Sequence, residues 1–131
     1  MMLDNAKWLE AVRFNADGLV CVVTLDAESG AVLMQAWMNR ETLLETVAIG
    51  EMVYYSRSRK QRWHKGETSG HTQVVENLWL DCDGDAVLAV VHQKGGIACH
   101  TGRHNCFYRC LEDGEWVEKE PVLKSPKEIY G

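Results

Sequence analysis

The run VVENLWLDCDGDAVLAVVHQ, residues 74–93, constrains the fold more than any other part of this chain. Its two apolar, β-branched halves, 74–83 and 86–93, read as strands joined around Gly84. On an extended backbone, residues two apart share a face. Asp81, Asp83 and Asp85 are then expected on one side and the Cys82 thiol on the other. Carboxylate oxygens suit Mg²⁺ or Ca²⁺, and a thiolate suits Zn²⁺. Shortly beyond the second strand, Cys99 and Cys106 bracket CHTGRHNC, where six intervening residues leave room for both thiols to reach one ion.

The rest of the chain supplies more strands around this pair. Residues 4–14 carry a weak amphipathic pattern (Trp8, Leu9, Val12, Phe14) that predicts a short helix. LVCVVTLD (19–26) and AVLMQAWM (31–38) read as a hairpin turned at Ser29-Gly30. Asn39 fits a helix N-cap, with Glu41 in the first turn, Leu43, Leu44 and Val47 on the apolar side, and Gly50 at the end. A strand at 52–58 precedes a polar, glycine-containing stretch, 59–72, expected as a long loop. Lys94-Gly95-Gly96 reads as a turn, and Asp113-Gly114 as the turn of a hairpin between 106–112 and 115–120. Pro121 and Pro126 mark an extended tail. The expectation is a strand-rich α+β fold of small mixed or antiparallel sheets with one or two short helices.

At 131 residues the chain is expected to be one domain, 1–131, with residues 111–131 as a C-terminal hairpin and tail. No apolar run reaches the ~20 residues that span a bilayer, and the N-terminus lacks a basic segment followed by an apolar block. Five cysteines suit a reducing compartment better than a disulfide framework. The formal net charge of −5 argues against a general nucleic-acid binder.

Each motif also has an ordinary explanation. DCDGD is too short for an EF-hand loop and serves equally as a solvated acidic turn, but its neighbouring thiol favours metal. A free cysteine is most often a small buried hydrophobe. That suits Cys21 and Cys110, and suits Cys99 and Cys106 less, because their local sequence is polar. C-x-x-C, H-E-x-x-H and the zinc deaminase signature are all absent. In YYSRSRKQRWHKGETSGHT (54–72) basic residues crowd an otherwise acidic chain. The bland reading is a solvated loop, and a single-stranded nucleic-acid patch is a second. Guanidinium groups with nearby hydroxyls and glycine N–H groups also make a phosphate cradle, with Trp63 for base stacking. His64, His71 and His92, taken singly, are ordinary histidines.

WMNRETLLET, YYSRSRKQRWHKGETSGHTQVV, LDCDGDAVL and ACHTGRHNCFYR together resemble, in order, the signatures of the phosphoribosyl-AMP cyclohydrolases, from about Asp17 to Arg109. The resemblance implies the third step of histidine biosynthesis: water adds to the adenine ring of N1-(5-phosphoribosyl)-AMP and the N1–C6 bond opens. It also implies a cytoplasmic, intertwined homodimer requiring Zn²⁺ and Mg²⁺. Zn²⁺ falls to Cys82 of one subunit with Cys99 and Cys106 of its partner. Mg²⁺ falls to Asp81, Asp83 and Asp85. Expected substrate contacts are Arg57, Ser58, Arg59, Trp63, Lys65, Glu67, Thr68, Ser69 and Arg103. His100 is the first candidate general base and His64 the second. A zinc site with three thiolates leaves a position for water, as catalytic zinc sites do. The pyrophosphohydrolase domain that follows in some organisms is expected to be missing. The competing classes are a zinc-stabilised nucleic-acid-binding module and a zinc hydrolase or deaminase acting on another nucleotide.

Overall fold

Burial alternates with period two along β1 (Val20–Asp26) and β6 (Ala86–Gln93), as each must pack one face on a core. The computed structural model describes residues 7–99 and 102–125. The remaining strands are β2 (Val32–Met38), β3 (Val53–Ser56), β4 (Gln61–His64), β5 (Gln73–Leu80), β7 (Arg109–Glu112) and β8 (Glu115–Glu118). A mixed four-stranded sheet runs in the order β2-β1-β6-β5, and β3-β4 and β7-β8 form two separate hairpins. β1 is antiparallel to β2 but parallel to β6, in a register that sets Val22 beside Val87 and Thr24 beside Ala89. All four of these side chains are buried. The core on this face joins Val20, Val22, Leu33, Met38, Leu43, Met52, Tyr54, Val87 and Val91. Each such aliphatic side chain contributes about 1.5–3 kcal/mol through burial.

The single α-helix among the described residues, α1 (Arg40–Ile49), is capped as its sequence leads one to expect. Asn39 accepts the Thr42 N–H at 2.8 Å, and the Thr42 hydroxyl accepts the Asn39 N–H at 3.0 Å. Such a cap is worth about 1 kcal/mol. Gly50 closes the helix in the left-handed region, its N–H on Thr46 O. The buried side is Leu43 with Thr42 and Thr46, whereas Val47 is exposed. Thr46 explains this. Its hydroxyl donates to Thr42 O and receives the Val53 N–H at 3.0 Å, so a buried polar group ties α1 to β3.

Four expectations change. Residues 59–72 are not all loop, because β4 forms within them and pairs with β3. The strand expected over 52–58 is accordingly only Val53–Ser56. The expected N-terminal helix is a 3₁₀ turn over Lys7–Ala11, and residues 4–6 lie outside the described part. β5 stops at Leu80, so DCDGD is a turn rather than extended strand. Its Asp81 carboxylate accepts the N–H groups of Asp85 and Ala86, as short acidic side chains do in turns. The expected two-faced split of aspartates and Cys82 therefore does not arise from strand alternation. β7 and β8 turn at Asp113-Gly114, where both residues have positive φ, as a two-residue hairpin turn requires. No helix among the described residues is long and apolar enough to cross a membrane.

Candidate active site

The β3-β4 hairpin and the loop after it wall a cleft of about 670 Å³. Arg59, Trp63, His64, Lys65, Glu67, Thr68 and Ser69 line it, with Ser56, Gln61, Arg62 and Gly66 completing the wall. Trp63 stands opposite Tyr54 in the strand register, the ring centroids 5.5 Å apart. Tyr54 is fully buried, so the pair leaves Trp63 41% exposed with surface to offer a ligand. The loop doubles back tightly. Glu67 N–H donates to His64 O, and Gly70 N–H to Gly66 O. Gly66 has φ +83, and a Cβ there would lie 2.2 Å from Thr72 N. Only glycine fits this crossing.

Charges in the cleft divide into engaged and available. Arg62 makes a two-pronged pair with Glu45 of α1, at 2.7 and 2.6 Å, which fastens β4 to the helix. The Arg62 hydrogen bond holds the Glu45 carboxyl below its ordinary range. Arg57 is outside the cleft lining and stacks on Trp37, its guanidinium 4.8 Å from the ring centre. His64 Nε2 lies 2.8 Å from Glu51 Oε1, with Glu67 3.9 Å from its other nitrogen. An imidazole so flanked has a fixed orientation. Glu51 was not singled out in the sequence, since an acidic residue after a helix-ending glycine carries no signal of its own.

Behind the cleft lies the thiol pair. Cys99 is 4% exposed, and half-buried Cys106 packs against the core. The polar local sequence had suggested that nothing apolar surrounds them, but the loop turns both inward. Cys99 N–H donates to Arg103 O, Ala98 N–H to His104 O, and Cys106 N–H to Leu33 O of β2. Burial, together with the neighbouring Cys99 sulfur, pushes the Cys106 thiol up to about 12, against the pull of Lys65. Lys65 is itself only 4% exposed. Burial lowers its pKa, and the charges of Cys106 and Cys99 oppose that shift. A buried and a half-buried thiol side by side, next to the buried Lys65, are a soft donor set that a divalent cation such as zinc fits, since the cation takes the place of the thiol protons.

Cys82 is exposed on the acidic turn. Among the described residues, Asp81, Asp83 and Asp85 are the one group of three His, Cys, Asp or Glu ligand atoms gathered together, within 4.8 Å. Cys82 thus does not converge with Cys99 and Cys106 inside one chain. Hydrogen bonding and repulsion from Asp83 and Asp81 push the Asp85 carboxyl up to about 6. For Asp81, desolvation acts upward but is outweighed by hydrogen bonds from Asp85 and the Ala86 and Asp85 N–H groups, leaving it below the usual range. Three mutually repelling carboxylates fit a hard cation such as Mg²⁺.

Other expected residues lie apart. Ser58 does not line the cleft, and its hydroxyl lies 3.4 Å from that of Ser56 in the wall. Arg103 turns to the C-terminal strand, donating to Glu120 O and Glu118 and stacking on Tyr108. Cys110, expected as a buried hydrophobe, is exposed on β7, and Cys21 is half-buried. His100 lies outside the described residues.

Residues 34–108 match the phosphoribosyl-AMP cyclohydrolase family model. The chain is 61% identical over 126 residues to the phosphoribosyl-AMP cyclohydrolase of Methylococcus capsulatus, covering 96% of this chain and 98% of that protein. It is 57% identical over 124 residues to that of Nitrosomonas eutropha, covering 95% and 96%. With these matches spanning the cleft, the thiol loop and the acidic turn alike, the chain belongs to the phosphoribosyl-AMP cyclohydrolase family.

Proposed function

We propose that this chain opens the adenine ring of N1-(5-phosphoribosyl)-AMP by adding water at C6 and breaking the N1–C6 bond, the third step of histidine biosynthesis, in the cytoplasm. The observation that carries this reading is the juxtaposition, through buried Lys65, of a basic cleft bearing an exposed tryptophan and the Cys99–Cys106 thiol pair. Cys99 and Cys106, with Cys82 of a second copy, would hold Zn²⁺, and Asp81, Asp83 and Asp85 would hold Mg²⁺. When bound, zinc supplies the Lewis acidity that makes water nucleophilic near neutral pH, and magnesium supplies positive charge for phosphate oxygens.

The chain's own groups do the rest. Arg59 pairs with a substrate phosphate, and Thr68, Ser69 and the loop N–H groups add hydrogen bonds. Arg57, Ser58 and Arg103 remain proposed contacts that would have to reach substrate by leaving their present partners. Trp63 stacks on the base, and Glu67 accepts from a ribose hydroxyl. Lys65 keeps positive charge beside the sulfurs. His100 is the first candidate to take a proton from the attacking water and pass it to N1, and His64, held by Glu51, is the second.

The reading includes a homodimer with the zinc site shared between subunits, and the separation of Cys82 from Cys99 and Cys106 within one chain supports it. The reading is tested by incubating the metal-loaded protein with phosphoribosyl-AMP and following absorbance and ammonia. Ring opening without ammonia is the expected result. Ammonia release would indicate a deaminase, and no reaction would favour the nucleic-acid-binding module.

A further inference from the structure

A directed chain of hydrogen bonds crosses the core and ends between the two loops that build the site. Tyr54 donates to Gln73 Oε1 at 2.6 Å, so its oxygen accepts from Thr24, 2.7 Å away on β1. Gln73, fully buried, donates to Gln93 Oε1 at 2.7 Å. Gln93 Nε2 then faces three carbonyls: His71 O at 3.0 Å, Lys94 O at 3.1 Å and Thr72 O at 3.4 Å. Turning the Gln93 amide over would set nitrogen against nitrogen and oxygen against these carbonyls, so the chain permits one orientation. His71 and Thr72 close the loop carrying Thr68 and Ser69, and Lys94 opens the segment that leads to Cys99. The same two loops also touch directly. Lys94 N–H donates to Thr72 O, and a Cβ on Gly95 would sit 2.6 Å from the His71 ring.

We propose that Gln93 is a positioning residue whose amide fastens the substrate-binding loop to the thiol-bearing loop, so that the phosphate cradle and the metal ligands keep one mutual geometry. What the loops hold rests on the functional reading above, but the fastening does not. Thr24 lies on β1 at the far end of the same chain, where its hydroxyl bonds Tyr54, so it separates loss of core hydrogen bonding from loss of the clamp.

Gln93→Met keeps the length of the side chain and removes both polar ends, and Thr24→Val keeps the shape and removes the hydroxyl. In the full-length, zinc-loaded protein, amide hydrogen exchange is read for 66–72 and 94–99, with zinc retention against a chelator, kcat, KM and Tm. Both variants should lose thermal stability. Only Gln93→Met should speed exchange in both loops together, weaken zinc retention about ten-fold and cut kcat/KM about ten-fold or more. Unchanged exchange and zinc retention in Gln93→Met, or the same pattern in Thr24→Val, would overturn the proposal. A wild type that fails to turn over phosphoribosyl-AMP would count against the functional reading alone, because loop exchange still tests the clamp.

Discussion

Two glycines of the cleft loop make a matched pair for testing how much the cleft depends on this loop. Gly66 and Gly70 both have φ +83, and alanine in that region costs about 1–2 kcal/mol. At Gly70 a Cβ meets nothing within 4 Å, so Gly70→Ala should show this strain and no more. At Gly66 the Cβ would lie 2.2, 2.3 and 2.5 Å from Thr72 N, His71 C and Thr72 Cα, all backbone atoms. Ordinary contact begins near 3.4 Å, so the chain around Lys65–Glu67 must move by about 1 Å. Displacement on that scale can cost about 100-fold in rate. Gly70→Ala should therefore lower Tm by about 4–8 °C, at roughly 4 °C per kcal/mol, with kcat/KM near wild type. Gly66→Ala should lower Tm further and reduce kcat/KM by about two orders of magnitude. Steady-state kinetics well below both melting points, with Tm by calorimetry, measures the two effects. Equal kinetics in the two variants would refute the claim that this backbone crossing sets the cleft.

The same loop shows where sequence reading stops. β1, β2, β6 and the capped helix were legible because apolar alternation and a cap residue are local signals. β4 was not, since Gln61-Arg62-Trp63-His64 is polar and is held as strand by pairing to β3 and by the Arg62–Glu45 contact. Nothing local announces either partner. The parallel pairing of β1 with β6 joins residues about 65 positions apart and was equally invisible. At the site, the motif resemblance marked the cysteines and aspartates, but not their state. A polar sequence around Cys99 and Cys106 says nothing of a loop that turns both thiols onto the core. Strand periodicity misread DCDGD, because Asp81 bonds its own turn instead of continuing β5.

Other outcomes follow from the same contacts. Cys82→Ser, Cys99→Ser and Cys106→Ser should each lose tightly bound zinc and activity while Cys21→Ser keeps both, as metal analysis would check. Asp83→Asn and Asp85→Asn should abolish activation by Mg²⁺ with zinc retained, because the aspartates offer hard oxygen donors to one ion and the cysteines soft sulfur donors to the other. Arg59→Ala should raise KM by about 10- to 100-fold, for a charge-assisted phosphate contact of ~1.5–3 kcal/mol. Glu45 has a folded-state pKa lowered from 4.5 by Arg62, so its stabilisation is present above 4.5 and is lost as pH falls through the lower folded value. Glu45→Gln should melt earlier than wild type near neutral pH, with the difference closing in that acidic window. A difference that persisted unchanged into acid would contradict the assignment.

The shared zinc site has the most direct test, by mixing. Cys82→Ala and Cys99→Ala chains, each inactive alone, are co-expressed and the mixed dimers isolated. If Cys82 of one subunit completes the Cys99–Cys106 pair of the other, one site of each mixed dimer receives both substitutions and the other receives none. Random pairing makes about half the dimers mixed, each with one intact site, so the unfractionated mixture should regain roughly a quarter of wild-type activity. No recovery, with mixed dimers shown to be present, would contradict the shared site.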